Sequence, residues 1–164
     1  MFWHATSFKQ RLCQDAWVNS KANKIAMFIG SSGRMCTGAF ASKASLKRAV
    51  VACLKLSPTG DCIKNPYGPI GEWDVSGVRD TGRMFNVASY FNADISNWDV
   101  SRVNTMDSMF TGASSFNGDL SKWDVSSVTT MNAMFAGATS FNSDLSKWNV
   151  SCVSITGATF ADAI

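Results

Sequence analysis

Apolar residues along residues 70–160 recur in a fixed frame rather than in runs. The stretch "FNGDLSKWDVSSVTTMNAMF", Phe116 to Phe135, sets Phe116, Leu120, Trp123, Val125, Val128, Met131, Met134 and Phe135 among polar residues. The frame returns every 25 residues. Trp73, Trp98, Trp123 and Trp148 fall on one column, Phe85, Phe110, Phe135 and Phe160 on a second, and Phe91, Phe116 and Phe141 on a third. A fixed period of this size marks a solenoid, whose units cannot bury their apolar faces alone and stack on their neighbours. The fixed columns are then the buried ones, and the drifting columns face solvent.

Within a unit, "LSKWDV" (Leu120 to Val125) reads L-x-x-W-x-V, the apolar spacing of a leucine-rich repeat with Trp in one Leu place. The alternation predicts short strands near 73–75, 98–100, 123–125 and 148–150, with Trp inward and Asp outward. Such strands would stack in parallel about 4.8 Å apart. The following "SSVTTMNAMFAGA" spaces Val128, Met131, Met134 and Phe135 by threes and fours, which predicts a short helix. Ser127 or Thr129 would cap it and Gly137 would end it. The predicted fold is a right-handed α/β repeat solenoid, with one short parallel strand and one short helix in each unit starting at 73, 98, 123 and 148. Asn92, Asn117 and Asn142 each follow a core Phe at a bend. They are expected to be buried and to bond free backbone groups of the adjacent turn; a ligand-binding Asn row is the competing reading.

Residues 37–72 break the period. Leu46, Ala49, Val50, Cys53 and Leu54 form one helical stripe, with Lys47, Arg48 and Lys55 outside it. Pro58 and Gly60 then stop the helix. A helix over 43–56 would cap the open edge of the repeats, as solenoids require. A membrane-surface helix is the rival reading. Residues 1–36 read as the degenerate end of an upstream array. "MFWHATSF" matches "MFNVASYF", "MFTGASSF" and "MFAGATSF", but Trp17 falls out of register. The chain starts and stops inside a unit, so it is expected to be part of a longer array.

Composition changes this picture little. Hydrophobic residues are 46% and charged residues 16% of the 164, which argues against disorder. The net charge of +3 is uneven. Residues 1–56 hold nine Lys/Arg against Asp15 alone, and residues 57–164 hold six against eleven acids. The basic residues are scattered and do not form a nucleic-acid footprint. No apolar run approaches the roughly 20 residues that span a bilayer, and the N-terminus has no signal-peptide pattern.

Enzyme chemistry finds no support. The motifs GxSxG, GxxxxGK[ST] and GxGxxG are absent, and His4 is the one histidine. No cofactor or metal ligand set is expected. Cys13, Cys36, Cys53, Cys62 and Cys152 are odd in number, without CxxC. Cys53 and Cys62 flank a turn that brings them within reach, and a disulfide there would staple the cap and imply an oxidising compartment. Asp74, Asp99 and Asp124, with Asn149, form one polar column; Asp94, Asp119 and Asp144 form another. Stacked like charges repel, so Ser or Thr hydroxyls and turn amides are expected to offset them; calcium between units is the competing reading. The Trp column reads as core rather than as a sugar-stacking platform.

The unit "FNxDLSxWDVSxVTxMxxMFxGAxSFN" resembles the BspA-type leucine-rich-repeat surface proteins of mycoplasmas, other bacteria and microalgae. The resemblance is strong over 70–160, and "VVACLKLSPTGDC…GPIGEWDVS" looks like the opening of such a cassette. Thr156 and Thr159 depart from the pattern, which has Met there. The resemblance implies an extracellular or cell-surface protein with adhesion and protein binding as its roles. No lipobox or sorting signal accompanies it in this chain. The expected function is thus a non-enzymatic protein-binding or adhesion module, with Asp99, Arg102, Lys122, Asp124 and Lys147 as the partner-binding residues. A structural subunit that docks by its ends is the alternative, and a calcium- or carbohydrate-binding surface a third.

Overall fold

The computed structural model describes residues 11–12, 34–35, 39–63, 65 and 67–163. The reading of 1–36 as an upstream array lies almost wholly outside these residues. Two short strands, β1 (Arg11–Leu12) and β2 (Arg34–Met35), pair in parallel. One α-helix, α1 (Lys43–Leu56), follows. Ser42 caps it by accepting from the Ser45 amide, and Leu46, Ala49, Val50 and Cys53 are its buried stripe. A single 3-10 turn, Ile70–Glu72, leads into the repeats.

The α/β repeat solenoid predicted from the sequence is not what forms. Among the described residues beyond 72 there is neither a strand nor a helix. The segments 98–100, 123–125 and 148–150 are irregular, and near 73–75 only Asp74 makes a bridge, to Ala39. The units instead stack as chains of turns, joined by isolated parallel bridges that link Asp80, Thr105, Thr130 and Ile155.

Hydrogen bonding gives the reason. At each W-D-V segment the Trp amide closes a turn before it, and the amide of the Val three residues past it closes a turn after it. The Trp98 amide donates to Ile95 O (3.0 Å), and the Val103 amide to Val100 O (2.8 Å). Trp123, Val128, Trp148 and Val153 repeat this. A β-ladder needs those amides to face a neighbouring strand, so none can propagate. The Met-Phe segments fail as helices for a different reason. Arg83, Ser108, Ala133 and Ala158 hold φ of 53–57°, and Val87, Gly112, Gly137 and Asp162 hold 54–70°. Left-handed residues four apart break any α-helix. Amides at alternate positions then point to the next unit. Those of Ala133, Phe135 and Gly137 donate to the carbonyls of Gly157, Thr159 and Ala161, each at 2.8 Å.

The core runs along the stack. Phe85, Phe110, Phe135 and Phe160 stack with ring centroids 5.4–5.5 Å apart. Phe91, Phe116 and Phe141 form a parallel ladder at 5.5–5.8 Å. Within each unit the two ladders touch at 4.0–4.2 Å. Except for Phe160, all these rings are buried, and each contributes about 1.5–3 kcal/mol of burial. The Trp column links neighbouring units: Nε1 of Trp98, Trp123 and Trp148 donates to Ile70, Ile95 and Leu120 carbonyls at 2.9, 3.1 and 2.9 Å. Trp73, Trp98 and Trp123 are buried and Trp148 is half-buried.

The Asn column differs from expectation in burial, though it does serve the backbone of the next unit. Asn92 Oδ1 accepts from the Asn117 amide and Asn117 Oδ1 from the Asn142 amide, yet all three residues are exposed. The preceding Phe turns inward, so the next side chain along the bend turns out.

Candidate functional site

The polar columns are built from two-residue turns. Asp99 Oδ1 accepts from the Ser101 hydroxyl at 2.6 Å and its amide at 3.1 Å, and Asp124 does the same with Ser126 at 2.6 and 3.0 Å. Asp94, Asp119 and Asp144 accept from the amides of Ser96, Ser121 and Ser146, each at 2.9 Å. These donors offset the repulsion between stacked carboxylates. They hold Asp99 and Asp124 below the usual carboxylate range, the serine hydroxyl contributing most and its amide next. Asp94 and Asp119 are lowered by the hydroxyl first, and Asp144 by the Ser146 amide first.

A pH dependence follows from the sign of these shifts. A carboxyl whose folded pKa is depressed stabilises the fold at pH above its unfolded value and loses that contribution as pH falls through the folded value. The melting temperature is therefore expected to be flat from neutral pH down to about 5 and to fall as pH drops below the ordinary Asp value of 3.8. Circular dichroism melts across this range check it. A melting temperature that rises on acidification would contradict the turn-holding role.

The five residues expected to bind a partner are all exposed, and they fall into two groups. Asp99 lies within electrostatic range of Arg102 and of Asp124 in the next unit. Lys122 and Lys147 lie near Asp119 instead. Arg102, Lys122 and Lys147 are exposed, and what they meet among the described residues is the longer-range charge of these carboxylates. Asp99 and Asp124 are partly committed, because one oxygen of each holds its serine turn. Trp73, Trp98 and Trp123 are buried and present no face to a sugar, whereas Trp148 is half-buried. Among the described residues, no group of three or more His, Cys, Asp and Glu is placed to hold a metal ion.

Two features beyond those residues shape the surface. The first is the junction of α1 with the first unit. Lys47 Nζ donates to the Arg83 and Met84 carbonyls at 2.6 and 2.8 Å, in the place where later units receive a backbone amide. Lys43 Nζ contacts both oxygens of Asp80 at 2.9 Å. Burial, and secondarily the Lys43 charge, lower the Lys47 pKa. Cys53 and Cys62 are disulfide-bonded with Cα atoms 5.3 Å apart, which ties the end of α1 to the turn after it. The second feature is the last unit. Val150, Ile155 and Phe160 are about half exposed there, and Val150 and Phe160 line a groove of about 440 Å³ together with Met131 and Leu145.

Of the α1 junction, Cys53 and Cys62 were singled out from sequence as the disulfide that forms; Lys43, Asp80, Val87 and Tyr90 were not, yet for the last two a signal exists. Val87 stands where the next two units have Gly112 and Gly137, and Tyr90 where they have Ser115 and Ser140.

The profile of the family described as Mycoplasma protein of unknown function, DUF285, matches residues 59–164. This chain belongs to that family. The matched span takes in the turn that carries Cys62 and every unit of the stack. In the DUF285 region the described residues contain no helix long and apolar enough to cross a membrane, and α1 outside it contains none either. Searches of the curated proteins and of the solved structures found no match.

Proposed function

We propose that this DUF285 chain is a non-enzymatic protein-binding module that displays variable side chains from a self-supporting stack. The observation that carries this reading is the behaviour of two columns. Glu72, Asn97, Lys122 and Lys147 form one, and Gly77, Arg102, Ser127 and Cys152 the other. All eight positions are exposed; the second column differs in every unit, and the first runs from acid to amide to Lys, with Lys in the last two units. The Trp and Phe columns beneath repeat without change. A constant frame with variable exposed positions suits recognition of a macromolecular partner. The resemblance to BspA-type surface repeats and the Cys53–Cys62 disulfide support a place outside the reducing cytosol, with adhesion as the finer role.

The test removes the five charges that stand out on this surface. A variant carrying Asp99→Asn, Arg102→Gln, Lys122→Gln, Asp124→Asn and Lys147→Gln keeps an Oδ1 acceptor at both turns, as Asn149 does natively toward the Ser151 amide. Its melting temperature is expected to stay close to the parent, since exposed charges contribute little. Capture of membrane-fraction proteins by the immobilised chain is expected to fall several-fold. Equal capture by two folded proteins would move recognition elsewhere. That result would favour the second reading, a structural subunit docking in a larger assembly.

A further inference from the structure

A second groove, of about 340 Å³, opens between α1 and the first unit of the stack. Val51 and Leu54 of α1 form one wall and Val87 and Tyr90 the other, with Lys47 and Lys55 on the rim. Three of its apolar residues are exposed: Val51 at 41%, Val87 at 74% and Tyr90 at 70%.

Two of these residues run against the logic of the stack. Val87 has φ 54°; its counterparts Gly112 and Gly137 hold 70° and 69°, and Asp162, which is not β-branched, holds 56°. Glycine takes this conformation without cost, whereas for a β-branched residue it is strained. The strain is not offset by burial, since three quarters of the side chain faces solvent. Tyr90 replaces the small serine of the next two units and is likewise exposed. A unit serving only to stack would carry Gly and Ser here. The first unit instead places two large side chains on the groove that α1 completes. Strain and exposed apolar surface at one place point to a contact made with something else.

Charge identifies the occupant. α1 carries Lys43, Lys47, Arg48 and Lys55 and no acid. Lys43 is paired with Asp80 and Lys47 with backbone carbonyls. Arg48 and Lys55 make no hydrogen bond or ion pair among the described residues. They lie three and four residues either side of Val51, on the same helical face. The apolar stripe of α1 is turned into the core, so the helix has no continuous greasy face to lay on a bilayer.

We infer that this groove is the docking site for an acidic protein segment. One aromatic or branched aliphatic side chain of that segment seats between Val51, Val87 and Tyr90, and flanking carboxylates pair with Arg48 and Lys55. The inference rests on the protein-binding reading but uses a surface separate from the five charges above.

The test measures fluorescence anisotropy of short fluorescein-labelled peptides rich in Glu, with Phe, Leu or Ala at the centre, against the full chain. The Phe and Leu peptides are expected to bind about 10-fold more tightly than the Ala peptide, the effect of one buried side chain. All three should weaken as salt rises. Val87→Gly with Tyr90→Ser restores the residues of the next two units, so the variant should fold and melt at or above the parent. It is expected to bind the three peptides equally. Arg48→Gln with Lys55→Gln should weaken all three while keeping the preference for Phe. Equal binding of the Phe and Ala peptides by the parent would overturn the proposal, as would an undiminished preference in the Val87→Gly, Tyr90→Ser variant. Stronger binding to phosphatidylserine vesicles than to the peptides would assign the groove to lipid, and self-association lost in that variant would assign it to a second copy; either result overturns the proposal. If the peptides fail while the fivefold charge variant still loses capture, the groove is refuted and the binding function stands.

Discussion

Trp123→Ala is expected to lower the unfolding free energy by about 3–5 kcal/mol, the usual cost of truncating a large buried aromatic residue. Trp123 is 4% exposed and packs against Phe110 at 6.4 Å. Its removal leaves a void between two units that turn-built backbones close poorly, because their amides are already committed to each other. A second loss adds to this: Ile95 O loses its donor, the Trp123 Nε1 at 3.1 Å. Trp123→Phe separates the two effects. It keeps most of the ring volume but not the donor, and is expected to cost about 1–3 kcal/mol. Urea denaturation followed by tryptophan fluorescence and circular dichroism measures both. A Trp123→Ala protein that unfolds at the parent midpoint would show that this column does not hold the units together.

The second large effect is expected at the cap. Replacing Cys53 and Cys62 together by Ala should cost about 2–3 kcal/mol from the freedom restored to the unfolded chain across a short loop. The bond is nine residues apart in sequence and holds the end of α1 against the stack. Gly60, inside that loop, has φ 97°, and a Cβ there would meet the Phe91 ring at 2.6 Å. The loop thus sits directly on the second phenylalanine ladder. Loss of the bond should loosen α1 first and expose the carbonyls that Lys47 covers. Hydrogen exchange is expected to show faster exchange in 43–60 than in 98–141. Uniform acceleration along the chain would mean that cap and stack unfold as one unit.

Much of the architecture was legible in the residues. The 25-residue period places Phe, Trp and Val at columns that the structure buries in all but the last unit, and the helix expected over 43–56 coincides with α1. The serine-capped carboxylates were legible in the D-x-S spacing. The error lay in translating periodicity into secondary structure. L-x-x-W-x-V alternates like a strand and V-x-x-M-x-x-M-F spaces like a helix, but apolar spacing reports only which side chains face inward. A chain of turns satisfies the same inward pattern. What separates the alternatives is where each amide donates, and that depends on neighbouring units.

The candidate surface divides in the same way. Exposure of Asp99, Arg102, Lys122, Asp124 and Lys147 could be read from their place between buried columns. Their split into two electrostatic groups could not, because it depends on how one unit is offset from the next. The α1 groove is likewise a product of assembly. Val87 and Tyr90 are visible as departures from Gly and Ser, but only the packing of α1 on the first unit brings them into one groove with Val51 and Lys55. The residues alone set the period, the inward-facing columns and the capping helix, because the apolarity of a side chain and its spacing along the chain are local properties. The tertiary structure alone decided the turn-built backbone, the Trp-to-carbonyl links and the groove, because those rest on hydrogen bonds and contacts between residues about one unit apart.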